Sequence, residues 1–253
     1  MIREKIIGSG FGKETGFRWR GGDISRMEGF SDNVFGFALT LLVVSLEVPR
    51  TFADLQQTLY GFTGFAFAFA LLFLFWYEHY KYFRRYGLEG NTVLWLNAVL
   101  LFVILFFVYP LKFLITFLSK LFSGASLSVL NADGSKTWII TPDQMVTLMT
   151  VYGIGFIVIY GIMTLLYIHA YSRRIELELD ATEMIITKGS IIAHAANCGI
   201  ALTSISIVQL GGPGFAGMSG FAYCLIGPIQ GVLGFVNGRK VHAILNSPSA
   251  GGH

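Results

Sequence analysis

Long apolar runs separated by short polar, glycine- or proline-bearing intervals set the pattern of this chain. The first runs from Phe30 to Val48 and is closed by Pro49; the second runs from Leu59 to Tyr80 through GFTGFAFAFALLFLFWYEHY. A third begins at Thr92 with VLWLNAVLLFVILFFVYP and continues past Pro110 to Phe122, with a bend expected at the proline. The fourth starts from a cap at Thr141, with Pro142 at the first helical position and Asp143 in the first turn, and reaches Ile168. The fifth spans Ile185 to Leu210, and the sixth Phe215 to Val236 with Pro228 inside it. A hydrocarbon core of roughly 30 Å needs about 20 apolar residues in a helix, so each run is long enough to cross. Residues 123–140, SGASLSVLNADGSKTWII, read instead as an exposed loop with a short hairpin around Asn131 to Gly134.

Composition agrees with that reading. Of 253 residues, 54% are hydrophobic and 13% charged, which places the chain among all-α integral membrane proteins and leaves no room for a sizeable soluble domain. The net charge of +3 is modest, and its position says more than its size. Arg3, Lys5, Lys13, Arg18, Arg20 and Arg26 precede the first run, Lys81, Arg84 and Arg85 follow the second, Arg173 and Arg174 the fourth, and Arg239 and Lys240 the sixth. The opposite side holds little beyond Arg50 and Lys136, with Lys112 and Lys120 at the tail of the third. By the positive-inside rule both termini are cytoplasmic, as an even six spans requires, and the basic residues report topology rather than a nucleic-acid partner. The expected organisation is a cytoplasmic arm at 1–23, a six-helix transmembrane domain at 24–240 and a cytoplasmic tail at 241–253, in the cell (inner or plasma) membrane. The arm's glycine density suggests a mobile or surface-lying segment, and no apolar stretch with a small-residue cleavage site follows its first charges, so it does not read as a signal peptide.

Few motifs carry chemistry. GFGK in the arm fails as a phosphate loop, because Ile7 and Glu14 stand where that motif needs Gly and Ser or Thr. TVYGIG at 150–155 looks like a carbonyl filter but sits inside an apolar helix, where Gly153 and Gly155 suit a close helix approach. The five histidines lack metal-ligand spacing, and His194 with Asn197 reads as an interhelical hydrogen-bonding pair. Cys198 and Cys224 lie in apolar segments and suggest neither a disulfide nor a metal site. No Ser/His/Asp arrangement or paired carboxylates fall within spans, which leaves catalysis without residues and calls for no cofactor.

The informative stretch is RMEGFSDNVFGFALTLLVVSLEVP, residues 26–49. A carboxylate at the mouth of a membrane span is costly unless it faces water or has a partner. Trp76 and His79 end the second run at comparable depth, and Asn97 opens the third, so Asp32 can accept from an indole, an imidazole or an amide while three helices are fixed in register. Such a network is either a docking clamp alone or the support of a working helix. Further along, Phe37, Leu41 and Val44 recur at i, i+4 and i+7, with Thr40 beside them; the stripe is either a packing face or, in several copies, a set of rings.

At these residues the chain resembles the prokaryotic relatives of the lysosomal potassium channel transmembrane protein 175. The signature is Arg, three residues, then Phe-Ser-Asp, matched by Arg26, Phe30, Ser31 and Asp32, with Trp76, His79, Asn97 and Pro110 following in place over residues 24–110. The resemblance implies a homotetramer of six-span subunits in membrane lipid, whose first helices line a pore for potassium ions, preferred weakly over sodium. It implies an apolar constriction, which here would be Phe37, Leu41 and Val44, and a hydroxyl layer at Thr40, with the signature residues as the supporting network. Phe37 departs from the Ile or Leu usual at the first constriction, and four aromatic rings there would close a pore more tightly. Two other classes stay open. An ion-coupled secondary transporter is suggested by Pro110 and Pro228 in the third span of each half, and a non-conducting membrane scaffold would use the same helices.

Overall fold

The computed structural model describes residues 16–44, 50–122, 124, 126, 128–130 and 135–246. Helices α1 (Arg26–Val44), α2 (Phe52–Tyr86) and α3 (Asn91–Phe122) lead into a short antiparallel pair, β1 (Ser128–Leu130) and β2 (Lys136–Trp138). Then follow α4 (Pro142–Ser172), α5 (Ala181–Gly211), a 3₁₀ turn at Pro213–Phe215, α6 (Ala216–Phe221), a second 3₁₀ turn at Ala222–Leu225 and α7 (Ile226–Leu245). Residues 1–15 of the expected arm, 247–253 of the expected tail, Pro49 and the hairpin tip Asn131–Gly134 lie outside the described residues.

Helix ends follow local chemistry. Thr141 and Gln144 form a reciprocal capping box ahead of α4, as Asp180 and Glu183 do ahead of α5. Gly87 stops α2 and Gly212 stops α5, at φ of 59° and 73°, a left-handed conformation that glycine adopts without a Cβ clash. Among the described residues, four segments are long and apolar enough to cross a membrane: Asn91–Leu114, Pro142–Ser172, Ala181–Gly211 and Pro213–Leu245.

Packing runs from helix to helix. The α4–α5 pair is the most extensive; α3 packs on α2 and α4, α7 on α5, and α1 lies on α2 and α3. Gly153 and Gly155 allow the close approach expected of them, the first against Ile205 and the second against the Phe107 ring. α3 continues through Pro110, whose carbonyl accepts from the Tyr152 hydroxyl at 2.6 Å. Tyr82, Tyr86 and Tyr167 close one end of the core, with ring centroids 5.3, 5.5 and 5.6 Å apart.

Three expectations change. The sixth run is not one helix: it breaks into α6 and α7 at the 3₁₀ turn, and Pro228 sits in the first turn of α7. There its missing N–H has no intrahelical partner to lose, so the proline starts a helix rather than bending one. Asn197 does bond across helices, accepting from Gln230 Nε2 at 2.8 Å, but His194 makes no hydrogen bond among the described residues. Its ring lies against Tyr160 and Tyr167, with Nε2 3.7 Å from Glu78 Oε2. Finally, the described end of the arm is packed, with Phe17 only 5% exposed.

Candidate functional site at the first helix

α1 has two unlike faces. Glu28, Ser31, Phe35, Ala38 and Leu42 alternate at spacings of three and four and are all buried. Arg26, Phe30, Asn33, Phe37 and Thr40 follow the same rhythm on the opposite side and are all exposed, Phe37 at 58%. The helix is started by Ser25, whose Oγ accepts from Glu28 N at 3.0 Å while Glu28 Oε2 accepts from Ser25 N at 3.4 Å. Glu28 then pairs with Arg84 of α2, Oε1 to Nη2 at 3.2 Å.

The polar network centres on Ser31. Asn97 of α3 donates from Nδ2 to Ser31 Oγ at 2.9 Å, and Ser31 donates to the Met27 carbonyl at 2.8 Å. His79 Nε2 of α2 lies 2.9 Å from Asn97 Oδ1. Because the Asn97 amide nitrogen is committed to Ser31, its oxygen faces the imidazole, and the Nε2–H tautomer completes the chain. Every hydrogen bond then points the same way, His79 to Asn97 to Ser31 to a backbone carbonyl, at residues no more than 2% exposed. Phe35 and Phe83 hold the imidazole between them, with ring centroids 5.6 and 4.6 Å away.

Asp32 is bonded separately. It is exposed, and its Oδ1 accepts from Trp76 Nε1 at 2.8 Å. The sequence suggested Asp32 as the shared acceptor, yet His79 and Asn97 go to Ser31. One residue along a helix turns the side chain well away, so adjacent serine and aspartate address different neighbours. Arg26 is exposed and forms no ion pair among the described residues; with Phe30, Met27, Glu89 and Leu94 it lines an open groove beside α3. Glu28, buried and ion-paired, was missed, although Ser25-x-x-Glu28 is a legible capping-box pattern.

Further along α1, Thr40 Oγ1 donates to the Gly36 carbonyl at 2.9 Å, which leaves its lone pairs outward. Leu41 lies at the edge of the exposed stripe, half-buried and packed on the core. Val44 ends the described helix, and its side chain lies outside the described residues.

Crossing-length apolar helices, with α1 pinned across two neighbours, define a multi-pass membrane protein. Residues 26–107 match the family described as endosomal/lysosomal potassium channel TMEM175. A relative from Marivirga tractuosa named "Potassium channel" is 37% identical over 244 residues, covering 95% of this chain and 98% of that protein. The chain belongs to the TMEM175 family of potassium channels. The crystal structure of a variant of the potassium channel MtTMEM175, with a nanobody–MBP fusion, matches at a TM-score of 0.76 and 37% identity over 90% of this chain and 99% of that one. A lysosomal potassium-selective channel TMEM175 homolog from Chamaesiphon minutus shares the fold, with a TM-score of 0.52 and 20% identity over 84% of this chain and 96% of that one.

Proposed function

We propose that the chain is a potassium-selective cation channel, weakly preferring potassium over sodium, in which four copies set α1 around a common axis. Each subunit crosses the cell membrane six times with both termini cytoplasmic, and potassium is the permeant ion with no cofactor. The observation that carries this reading is the exposed stripe of α1 opposite its bonded face: Phe37 is 58% exposed, while Ser31 behind it is fully buried. Turning another face of α1 to the axis would break the bonds to Asn97 and Trp76. Phe37 is the tightest ring, flanked by Leu41 and followed by Val44, and an apolar ring gates by dewetting. Thr40 is the hydroxyl layer: its proton is already given to the Gly36 carbonyl, so its oxygen is available to a partly dehydrated cation.

The test is planar-bilayer recording of purified protein under bi-ionic potassium and sodium gradients. A current that does not saturate, with a reversal potential displaced toward potassium, is the expected result. Flux that saturates and needs a coupled ion would make the protein a carrier. A tetramer that passes nothing under any gradient would make it a scaffold.

A further inference from the structure

We infer that Arg20 and Glu183 are positioning residues for α1: through them residues 16–25 strap the start of the pore helix to the N-terminus of α5, on the opposite half of the subunit. The inference rests on the reading that α1 lines the ion path. α1 itself packs on α2 and α3 and has no comparable packing with α4, α5 or α7 among the described residues. Whatever the second half does must reach α1 through its neighbours or through this strap.

The strap is fastened along its length. Gly16, at φ +86°, is wedged beside Thr182, Ile186 and Val241, from α5 and α7. Phe17 is buried edge-on against Tyr86 at 5.6 Å, with the Arg85 guanidinium 5.2 Å from its ring. Arg18 N donates to Glu183 Oε1 at 2.8 Å; Arg20 Nη1 donates to the same oxygen at 2.9 Å, and Nη2 to Oε2. Arg20 Nε also donates to the Leu177 carbonyl, between α4 and α5, at 2.8 Å. The Glu183 side chain is 1% exposed and also accepts from Asp180 N, so both its oxygens are committed. A forked guanidinium on a buried carboxylate is the strong, geometrically specific form of ion pair.

The other end is fastened to α2 and, through Arg84, to the pore helix. Arg20 N and Gly21 N both donate to the Arg84 carbonyl at 3.1 Å, and Arg84 Nη1 donates back to the Gly22 carbonyl at 2.9 Å. A Cβ at Gly21 would stand 2.6 Å from the Phe83 carbonyl, so the strap lies backbone against backbone there. The Arg84 guanidinium also holds Glu28, in the first turn of α1. Glu183, Arg20, the residue 83–84 backbone, Arg84 and Glu28 therefore form one continuous tie. Only Asp23, Ile24 and Ser25 lie between Gly22, the last bonded point of the strap, and the first residue of α1.

The experiment uses full-length tetramers carrying Arg20→Gln or Glu183→Gln in a background with Cys198 and Cys224 replaced by serine. Two readouts are taken on separate samples: open probability with reversal potential in bilayers on protein that keeps Asn33, and distances between spin labels on Asn33→Cys of the four copies. Breaking the clasp is expected to change the open-to-closed ratio about tenfold, the factor equivalent to ~1.4 kcal/mol. It is also expected to shift and broaden the label distances, with the reversal potential unchanged. A lowered melting temperature with unaltered distances and open probability would overturn the inference, as would a shifted reversal potential, which would put the pair in the ion path. Should the glutamine variants not assemble, Arg20→Lys, which keeps the charge and loses the fork, is measured against the same outcomes. Should the parent protein pass no current, the channel reading falls while the label distances still decide the role of the clasp.

Discussion

Asn97→Leu interrupts the chain of hydrogen bonds at its middle with little change in volume. The imidazole N–H of His79 then has no acceptor and Ser31 Oγ loses its donor, at residues 1% and 0% exposed, where water cannot replace either. Two interhelical bonds at about 0.6 kcal/mol each, the typical value within membranes, and an orphaned buried donor at about 1–3 kcal/mol predict a loss of about 2–4 kcal/mol. The measurement is unfolding in mixed detergent micelles, extended to a double-mutant cycle. Ser31→Ala removes the donation to the Met27 carbonyl in either background, so the coupling isolates the Asn97 bond and should be about 0.5–1.5 kcal/mol. Adding His79→Phe to Asn97→Leu should recover part of the loss, because the orphan disappears and a ring still fits between Phe35 and Phe83. If the Ser31 and Asn97 changes add to within about 0.3 kcal/mol, or if His79→Phe deepens the loss, the chain does not hold the helices in register.

Phe37→Ala should raise single-channel current and leave the melting temperature nearly unchanged, since the ring is 58% exposed on the subunit; a destabilised variant with wild-type current would sink the pore assignment. Thr40→Ala should move the bi-ionic reversal potential toward zero while the current stays close to wild type, and an unmoved potential would remove the hydroxyl layer from the ion path. Gly155→Val drives methyl groups into the Phe107 ring and should cost about 1–3 kcal/mol in melting experiments, partly restored by Phe107→Ala. Failure of that second-site rescue would show that the contact is not where the cost arises.

What could be read from the sequence was local. Thr141 before Pro142 announces a helix start, and two glycines two residues apart in an apolar helix announce close neighbours on its two sides; both rest on rules acting within a turn or two. The polar positions at residues 31, 32, 76, 79 and 97 were recognisable as a set because each falls near the same end of a run. Their pairing was not, because it depends on the rotation of three helices about their axes, and one residue of rotation separates Ser31 from Asp32. The Arg20–Glu183 clasp joins positions 163 residues apart, and no periodicity reports such a contact. The break at Ala222–Leu225 was hidden for another reason: Pro228 draws attention to itself, while the turn three residues earlier is made of ordinary side chains.

The two faces of α1 also bear on how such a protein can change. Leu41 apart, which packs on the core as well as flanking the proposed ring, the residues that hold the helix to its subunit and the residues proposed to meet the ion are separate sets interleaved along a single helix. On that proposal folding constrains positions 28, 31, 35, 38 and 42, while positions 37 and 40 answer mainly to permeation. A substitution on the second set can retune barrier height or ion preference without first destroying the scaffold that presents it. An aromatic ring at residue 37 is then a variation the architecture tolerates, and conductance becomes a property that can drift one side chain at a time.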